Sequence, residues 1–206
     1  MEKTFLLGVG CQKGGTTWLY NYLAANPASD LGFTKEYHIF DAFHVPGCRK
    51  FLTNTYTSCL DLFKCGKIVT FYPNILKHFD FYRDTKNYFD YFECLFHGSK
   101  SVTLVGDMTP AYSLLPVNAY RYIRAKLKER DFSVRVIFIM RDPFERIWSY
   151  IRMGKREVEQ KDGRLNDNHS DEKLLQDNYH LEGIQARTRY EDTITNLESV
   201  FDPDEV

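Results

Sequence analysis

The chain has 206 residues, with 27 lysines and arginines against 28 aspartates and glutamates and a formal net charge of −1. This length fits a single domain with a substantial core, and we predict one domain over residues 1–206. The near balance of charge excludes a general basic field of the kind that binds nucleic acid or acidic membranes, so any anion site has to be local.

The first apolar run, Phe5 to Val9, is too short for a membrane span or the core of a signal peptide. We therefore expect a soluble, cytoplasmic protein without a membrane partner. The five cysteines lack the C-x-x-C spacing of metal sites, which favours reduced and mostly buried thiols.

Three short apolar runs predict the strands of a sheet: Thr4 to Val9, Val102 to Val105 and Val134 to Met140. Their continuous apolar character, without alternation, is typical of strands that are covered on both faces. Segments with helical periodicity separate them. The pattern predicts an α/β fold with three layers, α/β/α, around a central parallel sheet.

Helical periodicity predicts four further elements. The helix predicted after the third strand has Asp142 as its N-cap and Pro143 as its first residue. The helix predicted near the end of the sequence stops at Asp202-Pro203. The predicted apolar faces are Leu19, Tyr22 and Leu23; Val117, Tyr120, Ile123 and Leu127; Phe144, Ile147, Trp148 and Ile151; and Tyr190, Ile194, Leu197 and Phe201. The polar stretch Lys155 to Asp177 is expected to be a loop, and Tyr88, Phe92 and Leu95 are expected in the core.

The turn after the first predicted strand has the composition of an anion-binding loop. Gln12-Lys13-Gly14-Gly15 leads into Thr16, where a helix is predicted to begin with unpaired backbone N–H groups. Glycines allow close approach of the backbone, and a helix N-terminus favours a negative group. A bare Gly-Gly would indicate no more than a strand-to-helix turn; the full run of lysine, glycines and threonines favours an anion site. The lysine precedes the glycines, unlike in the Walker loop of ATP-binding proteins.

Four runs of the chain carry motif residues in a fixed order. They are Gln12–Leu19, similar to P-K-(S/A/G)-G-T-T-x-L; Lys35–Phe40, similar to K-E-x-H-(F/Y)-F with Ile39 differing; Gly106–Tyr112, similar to (G/V)-E-K-(S/T)-P-x-Y; and Arg141–Tyr150, similar to R-(D/N)-P-x-x-R-x-x-S-x-Y with the tyrosine one place early. In this order they resemble the sulfotransferases that use 3'-phosphoadenosine 5'-phosphosulfate (PAPS). The resemblance is closest to the heparan-sulfate-type and bacterial carbohydrate branch, and it implies a P-loop-like domain.

The resemblance implies roles for the residues of these runs. The 5'-phosphosulfate would be bound by Lys13, Gly14, Gly15, Thr16, Thr17 and Trp18, and the 3'-phosphate by Arg141 and Ser149. It also implies in-line attack by an acceptor hydroxyl or amine on sulfur, with adenosine 3',5'-bisphosphate as product. A sulfuryl group carries less charge than a terminal phosphate, so we expect one lysine and backbone dipoles to suffice without a metal.

The general base is predicted within Lys35, Glu36 and His38. A carboxylate beside the acceptor can take its proton, which favours Glu36, and His38 is the alternative base. Lys35 would lower the pKa of Glu36 and burial would raise it, and the sequence leaves the balance open.

The chain also departs from the resemblance at several positions. Gln12 stands in place of proline, and Met108 stands in place of a lysine that in the sugar-polymer enzymes meets an anionic acceptor. The family's C-terminal strand and nucleotide-clamping loop have no counterpart, so the chain is either a shortened form or uses the stretch Arg152 to Arg164 instead. The acceptor, possibly a carbohydrate, stays open, as does the oligomeric state. The alternative functions are a small P-loop kinase and a non-catalytic nucleotide- or sugar-binding remnant.

Overall fold

A computed structural model of the protein describes residues 2–64, 73–162 and 170–206. It shows an α/β fold with one all-parallel sheet flanked by helices, as predicted from the apolar runs. The sheet order is β2-β3-β1-β4. The strands are β1 (Thr4–Gly10), β2 (Ser29–Asp30), β3 (Leu104–Met108) and β4 (Ser133–Phe138).

The helices connect and cover these strands. Those in the described residues are α1 (Thr16–Ala24), α2 (Ile39–His44), α3 (Arg49–Lys64), α4 (Pro73–Arg83), α5 (Thr85–Gly98), α6 (Val117–Lys128), α7 (Pro143–Asp162), α8 (Asp171–Asn178), α9 (Glu182–Ala186) and α10 (Tyr190–Glu198). Short 3₁₀ helices cover Pro46–Cys48 and Pro110–Leu114. The predicted cap of α7 is confirmed, since Asp142 Oδ1 accepts a hydrogen bond from the Glu145 backbone N–H.

The main core packs β1 against aromatic side chains of α5 and apolar side chains of α6. Phe5 packs edge-on against Phe92, with 5.0 Å between ring centroids, and Tyr88 is fully buried beside them. The predicted core positions Tyr88 and Phe92 are therefore confirmed. The same holds for Tyr120, Ile123 and Leu127, which α6 buries completely.

Two predicted apolar faces are wrong in part. Tyr22 and Phe144 are exposed, at 66% and 56%, because each stacks on a neighbouring ring of its own helix instead of entering the core. On α7 the buried positions include Ile147, Ile151 and, unexpectedly, Arg146. An arginine therefore occupies an interior position that apolar periodicity could not indicate.

The predicted loop from Lys155 to Asp177 is also wrong in its described parts. Residues 155–162 continue α7, and α8 begins at Asp171; residues 163–169 lie outside the described residues. The reason is a second apolar cluster, in which Ile147, Ile151 and Ile184 pack with leucines of α8. An ion pair between Lys155 and Asp171 joins the two helices.

Two further sequence predictions concern the cysteines and the membrane. Cys11, Cys48 and Cys59 are buried free thiols and Cys94 is an exposed one, in agreement with reduced cysteines; Cys65 lies outside the described residues. No helix within the described residues combines the length and apolar character that crossing a membrane would require.

Candidate functional site

The carboxyl ends of the parallel strands bring the four sequence motifs to one edge of the sheet. The loop after β1 carries Lys13, and the loop after the neighbouring strand β4 carries Arg141. A backbone hydrogen bond of 2.8 Å from Cys11 N to Ile139 O joins the two loops. Ligands of open α/β sheets bind at this edge, so the motifs converge where such a site is expected.

The first loop presents free backbone donors. Gly15 has a φ of 103° and precedes α1, and a side chain at this position would meet open space. The backbone N–H groups of Gly15, Thr16 and Thr17 have no hydrogen-bond acceptor among the described residues. With no acidic residue in the first turn of α1, this end of the helix is electrostatically suited to an anion.

Lys13 places a positive charge beside these donors. Its backbone has a φ of 68°, a costly conformation for a side-chain-bearing residue that is found most often at functional sites. Its Nζ lies 3.4 Å from the sulfur of Met153, and no described carboxylate lies within ion-pair distance of it. Burial, followed by the charges of Arg156, Lys35 and Arg141, lowers the pKa of Lys13. The like charges around this ammonium outweigh the opposing charge of Glu157, and a bound anion would stabilise it.

Arg141 and Ser149 line the same cavity as this loop, which has a volume of about 620 Å³. Arg141 donates from Nη1 to the Lys13 carbonyl at 3.2 Å and from Nη2 to Glu145 at 3.1 Å. The guanidinium is thus tied to the loop, and it remains about 40% exposed for a ligand. Ser149 is half-buried on the flank of α7, as the sequence predicted.

Lys35, Glu36 and His38 also line this cavity and contact one another. Lys35 Nζ lies 2.7 Å from Glu36 Oε1 and 3.3 Å from the Thr16 hydroxyl, which links the second motif to the anion loop. His38 Nε2 lies 3.2 Å from Glu36 Oε2. The Glu36 carboxylate is therefore held between two basic side chains.

These contacts shift the pKa values of Glu36 and His38. Burial raises the pKa of Glu36, but the hydrogen bonds from His38 and Lys35 outweigh it and hold the pKa below its ordinary value. Burial likewise lowers the pKa of His38, yet its hydrogen bonds to Asp41 and Glu36 raise the pKa to about 9. At neutral pH Glu36 is an ionised carboxylate and His38 is an imidazolium.

Asp41 is a member of this chain of groups that the sequence analysis missed. It is fully buried at the start of α2, and its Oδ2 accepts a hydrogen bond of 2.7 Å from His38 Nδ1. His38 itself has a φ of 54° and stacks on Phe51 at 3.6 Å between ring centroids. The spacing of three residues between His38 and Asp41, next to a motif, was the signal that could have revealed the pair.

The third motif holds the backbone of the second motif in place through hydrogen bonds. Thr109 Oγ1 accepts a hydrogen bond of 2.9 Å from the Tyr37 backbone N–H and donates one of 2.6 Å to the buried Asp107 carboxylate. Tyr88 and Tyr112 each donate a further hydrogen bond of 2.8 Å to Asp107. The motif therefore braces the backbone between Glu36 and His38.

Met108 contributes nothing to the site surface. It is 2% exposed and packs on the sheet, where the resemblance would have a lysine. A substitution here is consequently not a probe of acceptor binding.

Two residues of the first motif that were predicted to bind the 5'-phosphosulfate lie outside the lining of the cavity. Gly14 packs on Cys11 and on the Ile139 carbonyl, where an added side-chain carbon would come within 2.8 Å of both. Trp18 is 70% exposed and stacks on Tyr22, and its backbone N–H already donates to the Gly15 carbonyl. Lys13, Gly15, Thr16 and Thr17 do line the cavity.

The whole arrangement combines a cationic loop, an exposed arginine and an ionised carboxylate around one open space. It can hold a large anion on one side while a carboxylate accepts a proton on the other. Comparison with models of known protein families, with curated proteins and with solved structures gave no match.

Proposed function

We propose that this chain is a PAPS-dependent sulfotransferase with a P-loop-like α/β/α domain. It transfers a sulfuryl group to a hydroxyl or amine of an acceptor, a carbohydrate or a small molecule. The observation that carries the proposal is that the ammonium of Lys13, which has no described carboxylate partner, shares one cavity with the ionised carboxylate of Glu36.

The donor side of the proposal is supported by the loop. A 5'-phosphosulfate would accept hydrogen bonds from the free N–H groups of Gly15, Thr16 and Thr17 and would neutralise the charge of Lys13. Arg141 and Ser149 line the same cavity and would bind the 3'-phosphate. Gly14 would act indirectly, because it allows the loop to pack on the Ile139 carbonyl just after β4.

In the transfer step Glu36 would act on the acceptor and Lys13 on the leaving phosphate. The acceptor oxygen or nitrogen forms a bond to sulfur while the bond from sulfur to the bridging phosphate oxygen breaks, and the proton of the acceptor passes to Glu36. Adenosine 3',5'-bisphosphate leaves, and Lys13 stabilises the charge that develops on its 5'-phosphate. We propose that this cationic loop makes a metal ion unnecessary for the transfer.

Glu36 is favoured over His38 as the base for a reason of charge. With a pKa of about 9, His38 carries its proton at neutral pH and cannot accept another. Its role, like that of Lys35, would be to orient Glu36. Asp41 fixes the ring by accepting from Nδ1.

The electrostatic effect of Arg156 on Lys13 supports one alternative for the nucleotide clamp. Among the charged groups around Lys13, Arg156 of α7 has the largest effect on the lysine pKa. It belongs to the stretch Arg152 to Arg164 that the sequence suggested as a substitute clamp; Arg164 lies outside the described residues. We propose that Arg156 adds to the binding of the nucleotide.

The proposal is tested by incubating the protein with PAPS labelled in the sulfuryl group and a panel of carbohydrate acceptors with free hydroxyls or amines. We expect label to appear on at least one acceptor together with an equal amount of adenosine 3',5'-bisphosphate. Magnesium-dependent consumption of ATP would instead indicate a kinase. Binding of PAPS without turnover on any acceptor would indicate a binding remnant.

A further inference from the structure

A second cavity, of about 480 Å³, adjoins the cavity proposed for the sulfuryl donor, and the two meet at Glu36 and His38. Those two residues line both cavities. The second cavity is otherwise formed by the 3₁₀ helix Pro46–Cys48 with the start of α3, by α7 and by α9 with the residues that follow it. None of the residues that the sequence predicts to bind the nucleotide lines this second cavity.

Arg146 of α7 lines this cavity and is fully buried, at 0% exposure. Its Nη2 donates to the Ile184 carbonyl at 3.0 Å and to the Thr188 hydroxyl at 2.5 Å. Its Nε and Nη1 atoms, by contrast, have no hydrogen-bond acceptor among the described residues. Unpaired donors on a buried charge are costly, because the group has lost its water without gaining a partner.

Arg187 lines the same cavity and shows the same deficit. Its Nη1 donates to the Gly183 carbonyl at 2.8 Å and its Nη2 approaches the Cys48 sulfur at 3.8 Å, but its buried Nε has no acceptor. Burial, and then the charge of Asp41, raise the pKa of Cys48 to about 11, so this thiol is neutral and does not balance the arginine.

Neither guanidinium has a counter-ion in the part of the chain that the structure describes. No carboxylate among the side chains that the structure describes lies within 4.0 Å of Arg146 or Arg187. The cavity also receives Lys50 and the protonated His38, against the carboxylates of Glu36 and Glu157. Glu36 is already engaged by Lys35 and His38. A buried guanidinium without a counter-ion is destabilising, and an anion bound in the cavity would offset this cost.

We infer that Arg146 and Arg187 form a second anion-binding site, which takes a planar or tetrahedral oxyanion, a carboxylate or a sulfate group, in the cavity beside Glu36. An oxyanion in this cavity would supply acceptors for the Nε and Nη1 donors of Arg146 and the Nε donor of Arg187, which have none among the described residues. The occupant is either a free inorganic anion or an acidic group on a sugar. The site does not depend on the proposed transfer reaction, since it involves none of the donor-binding residues.

The test is a titration of the full chain followed by the side-chain Nε–H resonances of arginine in NMR spectra. Adenosine 3',5'-bisphosphate is present at saturation in one series and absent in another. The probes are sodium sulfate, methyl glucuronide, and neutral methyl glucoside, with chloride used to keep the ionic strength constant. The variants are Arg187→Gln and, as a matched control, Arg83→Gln, which removes an exposed arginine of α4.

We expect sulfate to shift the Nε–H signals of Arg146 and Arg187 saturably, whereas chloride and methyl glucoside leave them in place. Loss of a charged hydrogen-bonding partner in Arg187→Gln should weaken sulfate binding by roughly ten- to a hundredfold, as read from the Arg146 signal, and Arg83→Gln should not. A matching response to methyl glucuronide would identify a sugar acid as the occupant, and a response to sulfate alone would identify a free oxyanion.

The inference is overturned if neither oxyanion shifts the two signals, or if Arg187→Gln binds sulfate as tightly as the parent. Both outcomes are separable from a failure of the proposed function. The series without nucleotide reports on Arg146 and Arg187 alone. Binding of adenosine 3',5'-bisphosphate to the cavity with Lys13 and Arg141 is measured in a separate titration.

Discussion

His38 donates from Nε2 to the Glu36 carboxylate across 3.2 Å while its Nδ1 donates to the buried carboxylate of Asp41. This relationship makes the histidine a cation between two anions, with a pKa of about 9. Of the His38 and Glu36 side chains, Glu36 is therefore the one that is unprotonated at neutral pH and can accept a proton.

The first prediction concerns Glu36. Glu36→Gln keeps the shape of the side chain and removes its basicity, so sulfuryl transfer should fall by roughly a hundredfold or more. Affinity for adenosine 3',5'-bisphosphate should stay within about a few fold, because the carboxylate does not bind the nucleotide. Turnover and nucleotide binding are measured side by side. Full activity in Glu36→Gln together with loss of activity in His38→Ala would make His38 the base and refute the assignment.

The second prediction uses the charge of His38. Because its pKa is raised in the folded protein from 6.5 to about 9, the protonated ring stabilises the fold fully below pH 6.5, and this contribution is lost as the pH rises to about 9. His38→Asn tolerates the left-handed backbone and lacks the titration. The parent should therefore lose about 3 kcal/mol of unfolding free energy relative to this variant between pH 6.5 and 9.

Chemical denaturation of both proteins at each pH measures this difference. Two stability profiles that run parallel from pH 6 to 9.5 would show that His38 is not held as a cation. The charge argument for Glu36 would then lose its basis.

The third prediction concerns Thr109 as a positioning residue. Thr109→Val removes the acceptor of the Tyr37 N–H and a donor to Asp107, which should cost about 1–3 kcal/mol of unfolding free energy. It should also loosen the backbone next to Glu36, so kcat should fall while nucleotide affinity is unchanged.

Tyr88→Phe is the matched control for Thr109. It removes another hydrogen bond to the same buried carboxylate, at 2.8 Å, without touching the Tyr37 N–H. We expect it to destabilise the fold by a similar amount and to leave kcat close to that of the parent. An equal loss of kcat in both variants would mean that Thr109 acts through general stability alone.

The fourth prediction concerns Arg141. Arg141→Ala should weaken binding of adenosine 3',5'-bisphosphate by roughly ten- to a hundredfold, because a charged hydrogen-bonding partner of the 3'-phosphate is lost. Arg83→Ala removes an exposed arginine on α4 and should bind like the parent. Equal affinity of Arg141→Ala and the parent would exclude this 3'-phosphate site.

The parallel sheet could be predicted from sequence because β1 and β3 are buried along almost their whole length and read as apolar runs, although Arg135 interrupts the run of the edge strand β4. Strand β2, with only Ser29 and Asp30, carries no such signal and was missed. The exposure of Tyr22 and Phe144 was missed as well, because each ring finds a stacking partner on its own helix.

The candidate site could be predicted where its residues are adjacent in sequence. Lys13, Lys35, Glu36, His38, Arg141 and Ser149 were expected from their runs, and all of them line one cavity. The contacts between elements could not be foreseen in the same way. Arg146 and Arg187 are 41 positions apart, and only the packing of α7 against α9 brings them to one cavity. The balance of burial and hydrogen bonding at Glu36 likewise depends on distances that no spacing encodes.

Calorimetric titration of the protein with adenosine 3',5'-bisphosphate and with ATP, in a buffer without divalent metal ions, tests most directly whether the cavity binds the PAPS nucleotide. We predict saturable binding of adenosine 3',5'-bisphosphate that is much tighter than that of ATP, because Lys13 with the loop N–H groups and Arg141 with Ser149 bind two separate phosphates. Equal or tighter binding of ATP, or no binding of adenosine 3',5'-bisphosphate, would contradict it.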